Sequence, residues 1–134
     1  MIEITEREKE GIVVLDCAGQ LVAGESTGAL RARLSALIAA GKSQLILNLA
    51  EVSYIDSSGL GALVMCFSSA RRAGGMMKLV HLSRRTVELI VLTRLETVFE
   101  IFDDEQSAVN SFFPDREIRK FDILSFLQHR KSEG

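Results

Sequence analysis

Val52-Ser53-Tyr54-Ile55-Asp56-Ser57-Ser58-Gly59-Leu60-Gly61 decides how this 134-residue chain is read. Just upstream, Leu45-Ile46-Leu47-Asn48-Leu49 has the near-continuous apolar character of a buried strand. Just downstream, Ala62-Leu63-Val64-Met65-Cys66-Phe67 reads as a buried helix. Two hydroxyls, one carboxylate and two glycines thus fall where a strand gives way to a helix. Such a junction offers free backbone N–H groups and the positive end of a helix dipole. A phosphoryl group can be accepted and held there. This predicts the functional centre. Ser and Asp are also ordinary helix N-caps, and capping and modification can coexist on neighbouring residues.

Working outward, the strand spans Gln44 to Leu49. A helix is predicted before it, from Ser26 or Thr27, with Leu30, Leu34, Leu37 and Ile38 on one face and Gly41 as its stop. Arg31, Arg33 and Ser35 face outward. At the N-terminus Ile2 and Ile4 alternate with polar residues, as in a half-buried strand. Glu8-Lys9-Glu10-Gly11 reads as a turn, and Ile12 to Cys17 as a second strand paired with the first and ended by Gly19. The helix after Asp56 runs to about Ala73 and closes at Gly74-Gly75. Met76 to Val80 is a strand, with one Met buried and one exposed. Ser83 caps a helix whose inner face is Val87, Ile90 and Val91. Val98 to Phe102 is a short strand, and Asp103 opens a helix through Phe112.

This alternation predicts an α/β domain with a mixed four- to five-stranded sheet, parallel strands from residue 44 onward, right-handed crossovers and helices packed on the sheet. The domain occupies 1–113. Pro114 breaks the chain, and 114–134 forms an extension: an amphipathic helix from Asp115 to about Arg130, with Ile118, Phe121, Leu124 and Leu127 at three-residue steps. Phe112, Phe113, Phe121 and Phe126 are many aromatics to leave in water. The extension is therefore expected to dock on the domain or to pair with a second copy in a homodimer.

Bulk properties exclude several classes. Apolar residues make up 47%, enough for a real core. Net charge is −2 and no basic run occurs, so no nucleic-acid footprint is present. No apolar run approaches the ~18 residues of a membrane span, so no direct membrane insertion is expected. Cys17 and Cys66 sit in apolar surroundings and read as buried thiols, consistent with a reducing, cytoplasmic setting. His81 reads as a loop residue and His129 as an exposed tail residue, with no clustered acids to complete a metal site. Arg71-Arg72 and Arg84-Arg85 read as solvated faces. Ser57 is not in a G-x-S-x-G elbow, and no glycine-rich phosphate loop exists. Neither an enzyme nor a cofactor is expected.

With Asp56-Ser57-Ser58-Gly59-Leu60-Gly61 in this setting, residues 2 to 113 resemble the STAS domain family. The order of strand, motif, helix, Gly74-Gly75 and the Leu79 strand adds to the likeness. The format without a membrane segment is most similar to the anti-sigma factor antagonists. That resemblance implies phosphorylation of the serine directly after the motif aspartate, here Ser57 (with Ser58 the alternative), by an anti-sigma factor serine kinase. It also implies reversal by a serine phosphatase. Asp56 would shape the turn, Ser58 would cap the helix or meet the partner, and Gly59 and Gly61 would let the partner's backbone approach alongside Leu60. Family members often carry two acids after the second strand that help meet the kinase. Here Gly19-Gln20-Leu21-Val22 places Gln20 and Val22 at those positions, and Glu25 is not in register. A second reading from the same resemblance is an accessory subunit of a lipid-transport ATPase complex.

Overall fold

The computed structural model describes residues 2–133, with side chains described through residue 128. Ten elements follow one another: β1 (Ile2–Lys9), β2 (Ile12–Leu21), α1 (Glu25–Ala39), β3 (Gln44–Ile55), α2 (Ser57–Arg72), β4 (Met76–Val80), α3 (Arg84–Leu92), β5 (Glu100–Phe102), α4 (Glu105–Asn110) and α5 (Ile123–Glu133). The five strands form one mixed sheet in sequence order. β1 is antiparallel to β2, and every later pair is parallel.

The β1–β2 connection is tighter than the four-residue turn expected. Glu8 and Lys9 belong to β1, and only Glu10 and Gly11 turn, both with positive φ. Two such residues match the right-handed twist of the strands they join. β2 also continues past Gly19 to Leu21, because two register irregularities between Asp16 and Gln20 keep it beside β3. β3 likewise runs on to Ile55, well beyond Leu49.

Alternation in the strands sorts their side chains to two faces. On one face Leu15, Leu45, Leu47, Met77 and Leu79 meet Leu30 and Leu34 of α1, Leu60, Leu63 and Cys66 of α2, and Ile90 of α3. On the other, Ile12, Val14, Ile46, Val80 and Phe102 pack under Ala108 and Val109 of α4, with Phe112 and Phe113 at the margin. Met77 is fully buried and Met76 half-buried. Ser83 caps α3, accepting from the Thr86 N–H at 3.2 Å. Val87 and Ile90 face inward, while Val91 is half-buried. His81 stands exposed on the loop after β4.

The largest departure from expectation follows Pro114. The chain does not continue as helix from Asp115. Asp115 has φ 65°, residues 116–119 are in neither helix nor strand, and Arg119 to Phe121 lie antiparallel against the free edge of β5. The Asp103 N–H donates to the Arg119 carbonyl and the Phe121 N–H to the Ile101 carbonyl, both at 2.9 Å, around a Phe102–Lys120 antiparallel bridge. An unpaired strand edge satisfies those groups better than an isolated helical turn does. Helix begins only at Ile123. Phe121 and Ile123 pack against the main core, so this part of the extension docks on its own domain. Val98 and Phe99 precede β5 instead of joining it, and Phe99 meets Phe67 of α2 edge to face, with ring centroids 5.8 Å apart. His129 lies outside the described side chains.

Candidate functional site

β2 and β3 end side by side, Gln20 opposite Tyr54 and Leu21 opposite Ile55. Because both strands point the same way, the helices that follow them start at one rim of the sheet, where α/β folds present their sites. Asp56 is the single residue between β3 and α2, and it holds this rim together. Its N–H donates to the Leu21 carbonyl at 3.3 Å. Its Oδ1 accepts from the Gly59 N–H at 2.8 Å, and its Oδ2 accepts from the Ala23 N–H at 3.3 Å. One carboxylate therefore caps α2 and fixes the loop that enters α1.

That arrangement assigns the motif residues different tasks. Asp56 supplies the cap, which leaves Ser58 the other of its two expected roles, and Ser57 and Ser58 occupy the first two helical positions with exposed side chains. Leu60 is 2% exposed and belongs to the core. Gly59 corrects an expectation. A Cβ there would stand 2.0 Å from the Leu21 carbonyl oxygen, so the missing side chain admits this chain's own β2, not a partner. Gly61 is exposed, with nothing within 4 Å of a Cβ position, and its surface is open to a neighbour. Gln20 is exposed on the same rim. Val22 is half-buried, and its loop is pinned by Ser26 Oγ, which accepts from the Val22 N–H at 2.9 Å and donates to the Val22 carbonyl at 2.8 Å.

The structure adds residues that the motif alone does not reveal. Ser57 opens onto a groove of about 360 Å3 between α2 and α3, lined also by Tyr54, Arg85, Glu88 and Leu92. The Arg85 guanidinium lies over the Tyr54 ring, 5.0 Å from its centroid. Ser58 opens onto a separate groove between α1 and α2, lined also by Thr27, Arg31 and Met65. Arg84-Arg85 is visible in the sequence as a charged pair. The place of Arg85 in the Ser57 groove depends on how α3 packs, which no local pattern encodes.

Cys17 and Cys66 are buried and unlinked, as expected. Burial pushes their thiols up to about 12 and about 11, so both stay protonated and unreactive at neutral pH. Among the described residues, no helix is long and apolar enough to cross a membrane.

Comparison with known proteins agrees with this anatomy. Residues 3–108 match the family model of the STAS domain. The chain is 32% identical over 108 residues to the anti-sigma-B factor antagonist of Bacillus subtilis, covering 81% of this chain and 97% of that protein. Its fold resembles an anti-sigma factor antagonist from Mycobacterium paratuberculosis, with TM-score 0.71 and 22% identity over 83% of this chain and 93% of the other. It also resembles the Bacillus cell fate determinant SpoIIAA in its phosphorylated form, with TM-score 0.65 and 20% identity over 83% of this chain and all of the other. The architecture, the capped motif at the β3–α2 junction and these likenesses together show that the chain belongs to the STAS domain family, in its anti-sigma factor antagonist group.

Proposed function

We propose that this protein is a binding module switched by phosphorylation of Ser57. Unmodified, it binds an anti-sigma factor that is also a serine kinase, and so frees a sigma factor. The partner transfers the γ-phosphoryl group of its ATP to Ser57 Oγ; the hydroxyl proton is released and ADP departs. A serine phosphatase restores the free hydroxyl by hydrolysis. The chain itself supplies no catalytic group, and nucleotide and metal ion remain on the kinase. The protein then acts in the cytoplasm, where its partners reside.

The observation that carries this reading is the division of labour at the helix start. Asp56 performs the capping, so Ser57 is exposed at the first position of α2 without a structural duty there. Phosphate adds a charge of about −1.5 to −2 and three acceptor oxygens. At a helix N-terminus that charge is favourable by ~0.3–1 kcal/mol, so the fold survives it. A partner surface packed on Ser57 must desolvate or repel the same charge, and each ~1.4 kcal/mol of penalty lowers affinity tenfold. The existence of a phosphorylated form of the similarly folded SpoIIAA supports the premise that this architecture accepts such a group. Gln20, Val22, Ser58 and Gly61 on the same rim form the surrounding partner surface, and Leu60 anchors it from below.

Affinity capture of the native protein from cells, with mass spectrometry of both bait and prey, tests this. An anti-sigma factor kinase among the prey, together with phosphate on Ser57, is the expected result. Transporter components with unmodified Ser57 would overturn it in favour of an accessory subunit of a lipid-transport ATPase.

A further inference from the structure

Ser57 and Ser58 are adjacent in sequence, yet each faces its own groove and each groove contains one arginine. Ser57 shares its groove with Arg85, and Ser58 shares its groove with Arg31. In the Ser57 groove, Glu88 is the partner of Arg84, at 3.7 Å. Arg85 is exposed and rests on Tyr54. The other nearby carboxylate, Asp56, has its two oxygens on the Gly59 and Ala23 N–H groups. A cation over an aromatic ring at an exposed site is only weakly held. A phosphate dianion offers the same guanidinium a bidentate, charge-assisted contact, which is a stronger attraction.

We propose that Arg85 is the internal partner of phosphorylated Ser57. Once phosphate is attached, the guanidinium leaves the Tyr54 ring, binds the phosphate oxygens and ties α3 to the first turn of α2. This rests on Ser57 being the modified residue. Two consequences follow. The rim changes twice on modification, because a dianion appears and Tyr54 loses its covering cation. The phosphatase must also displace Arg85 before it reaches the phosphorus atom, which makes the off-state longer-lived.

The test uses the full chain with phosphoserine installed at position 57 by an expanded genetic code. The phosphate is titrated by 31P NMR with Arg85 intact and in R85Q. A nearby guanidinium favours the dianion, so the phosphate beside Arg85 is expected to titrate about half a pH unit or more below that in R85Q. Equal midpoints would overturn the proposal. Phosphoserine at position 58 is the control. R85Q should leave its midpoint unchanged, and a shift as large as at position 57 would show a general charge effect and overturn the specific contact. Because the phosphate is placed by codon, the outcome does not depend on any kinase. Equal midpoints leave the regulatory role of Ser57 standing, whereas absence of phosphate on Ser57 in cells overturns that role and leaves the contact standing.

Discussion

The two faces of the sheet are built on different physics. Toward α1, α2 and α3 the inward side chains of β2, β3 and β4 are apolar and closed to water: Val13, Leu15, Leu45, Leu47, Met77 and Leu79 are all 2% exposed or less. Opposite, Ile12, Val14, Ile46 and Val80 are interrupted by polar groups. Arg7 Nη2 donates to Asp16 Oδ1 at 3.0 Å, its Nη1 donates to Glu105 at 3.1 Å, and Asn48 donates to Asp16 at 2.9 Å. Lys78 is buried there, donating to Ser111 Oγ at 2.7 Å and lying 4.2 Å from the Phe112 ring centroid. Desolvation lowers its pKa, partly offset by Glu100. The first face is held by burial, which is non-directional and indifferent to pH. The second is held partly by charge, which is not. The candidate site stands at the rim of the first. On the proposed reading, a charge added at Ser57 would change what the rim binds without loosening the apolar packing that supports it.

The sharpest way to break this contrast is at the two motif glycines. Gly59→Ala drives a Cβ into the Leu21 backbone, so β2 and α2 must separate. The expected cost is about 3 kcal/mol or more. Gly61→Ala meets nothing and should gain up to ~1 kcal/mol from helix propensity. Denaturant unfolding of the two variants should move in opposite directions, and similar losses would mean that α2 does not pack on β2 as described.

Next in size is the cap. Asp56→Ala removes the acceptor for the Gly59 and Ala23 N–H groups and is expected to cost ~1–2 kcal/mol, whereas Asp56→Asn retains most of the stability. Amide hydrogen exchange at Gly59 and Ala23 should rise together in the alanine variant. A rise at Gly59 alone would deny the link between the two loops.

A smaller effect separates the faces by pH. Hydrogen bonds from Arg7 hold the Asp16 and Glu105 carboxyls below the usual carboxylate range. Their stabilisation is present above the unfolded-state values near ~4 and is lost as pH falls through the lower folded values. Arg7 is 41% exposed, so Arg7→Ala should cost only ~0.2–1 kcal/mol at pH 7 in low salt. The difference from wild type should shrink below about pH 4 and in high salt. A pH-independent difference would mean that Arg7 acts through packing.

The smallest effect on stability falls where the largest effect on function is expected. Ser57→Ala should change unfolding by less than ~0.5 kcal/mol while abolishing phosphorylation and preserving partner binding. Ser57→Asp should fold normally and bind the partner more weakly. Equal partner affinity for the two variants would sink the charge-switch mechanism.

Much of this was legible in the sequence, for identifiable reasons. Leu30, Leu34 and Leu37 announce α1, and Val87 and Ile90 the inner face of α3, because amphipathic periodicity is a local signal. Gly41 and Ser83 mark helix ends because stops and caps act through their nearest neighbours. The motif was legible for the same reason, since its hydroxyls, carboxylate and glycines stand between an apolar strand and an apolar helix. Strand lengths were not. Val52 to Ile55 and Gly19 to Leu21 become strand only because each finds the other, a pairing across more than thirty residues. The extension misled because three-residue apolar spacing from Ile118 to Leu124 suits a helix. Whether residues 116–122 coil or extend is settled by the free edge of β5, which no local window contains.

By itself, the sequence determined an α/β domain and a serine-bearing helix start after β3, because the periodicity, breakers and capping chemistry that specify them act within a few residues. Only the tertiary structure decided the rest. It gave Gly59 to the Leu21 carbonyl, tied Asp56 to the Ala23 N–H, turned Ser57 and Ser58 toward different grooves, and set Arg85 in one of them. Those outcomes depend on the close approach of β2, α2 and α3. Contacts between distant segments are fixed by how whole faces pack, not by the order of residues along the chain.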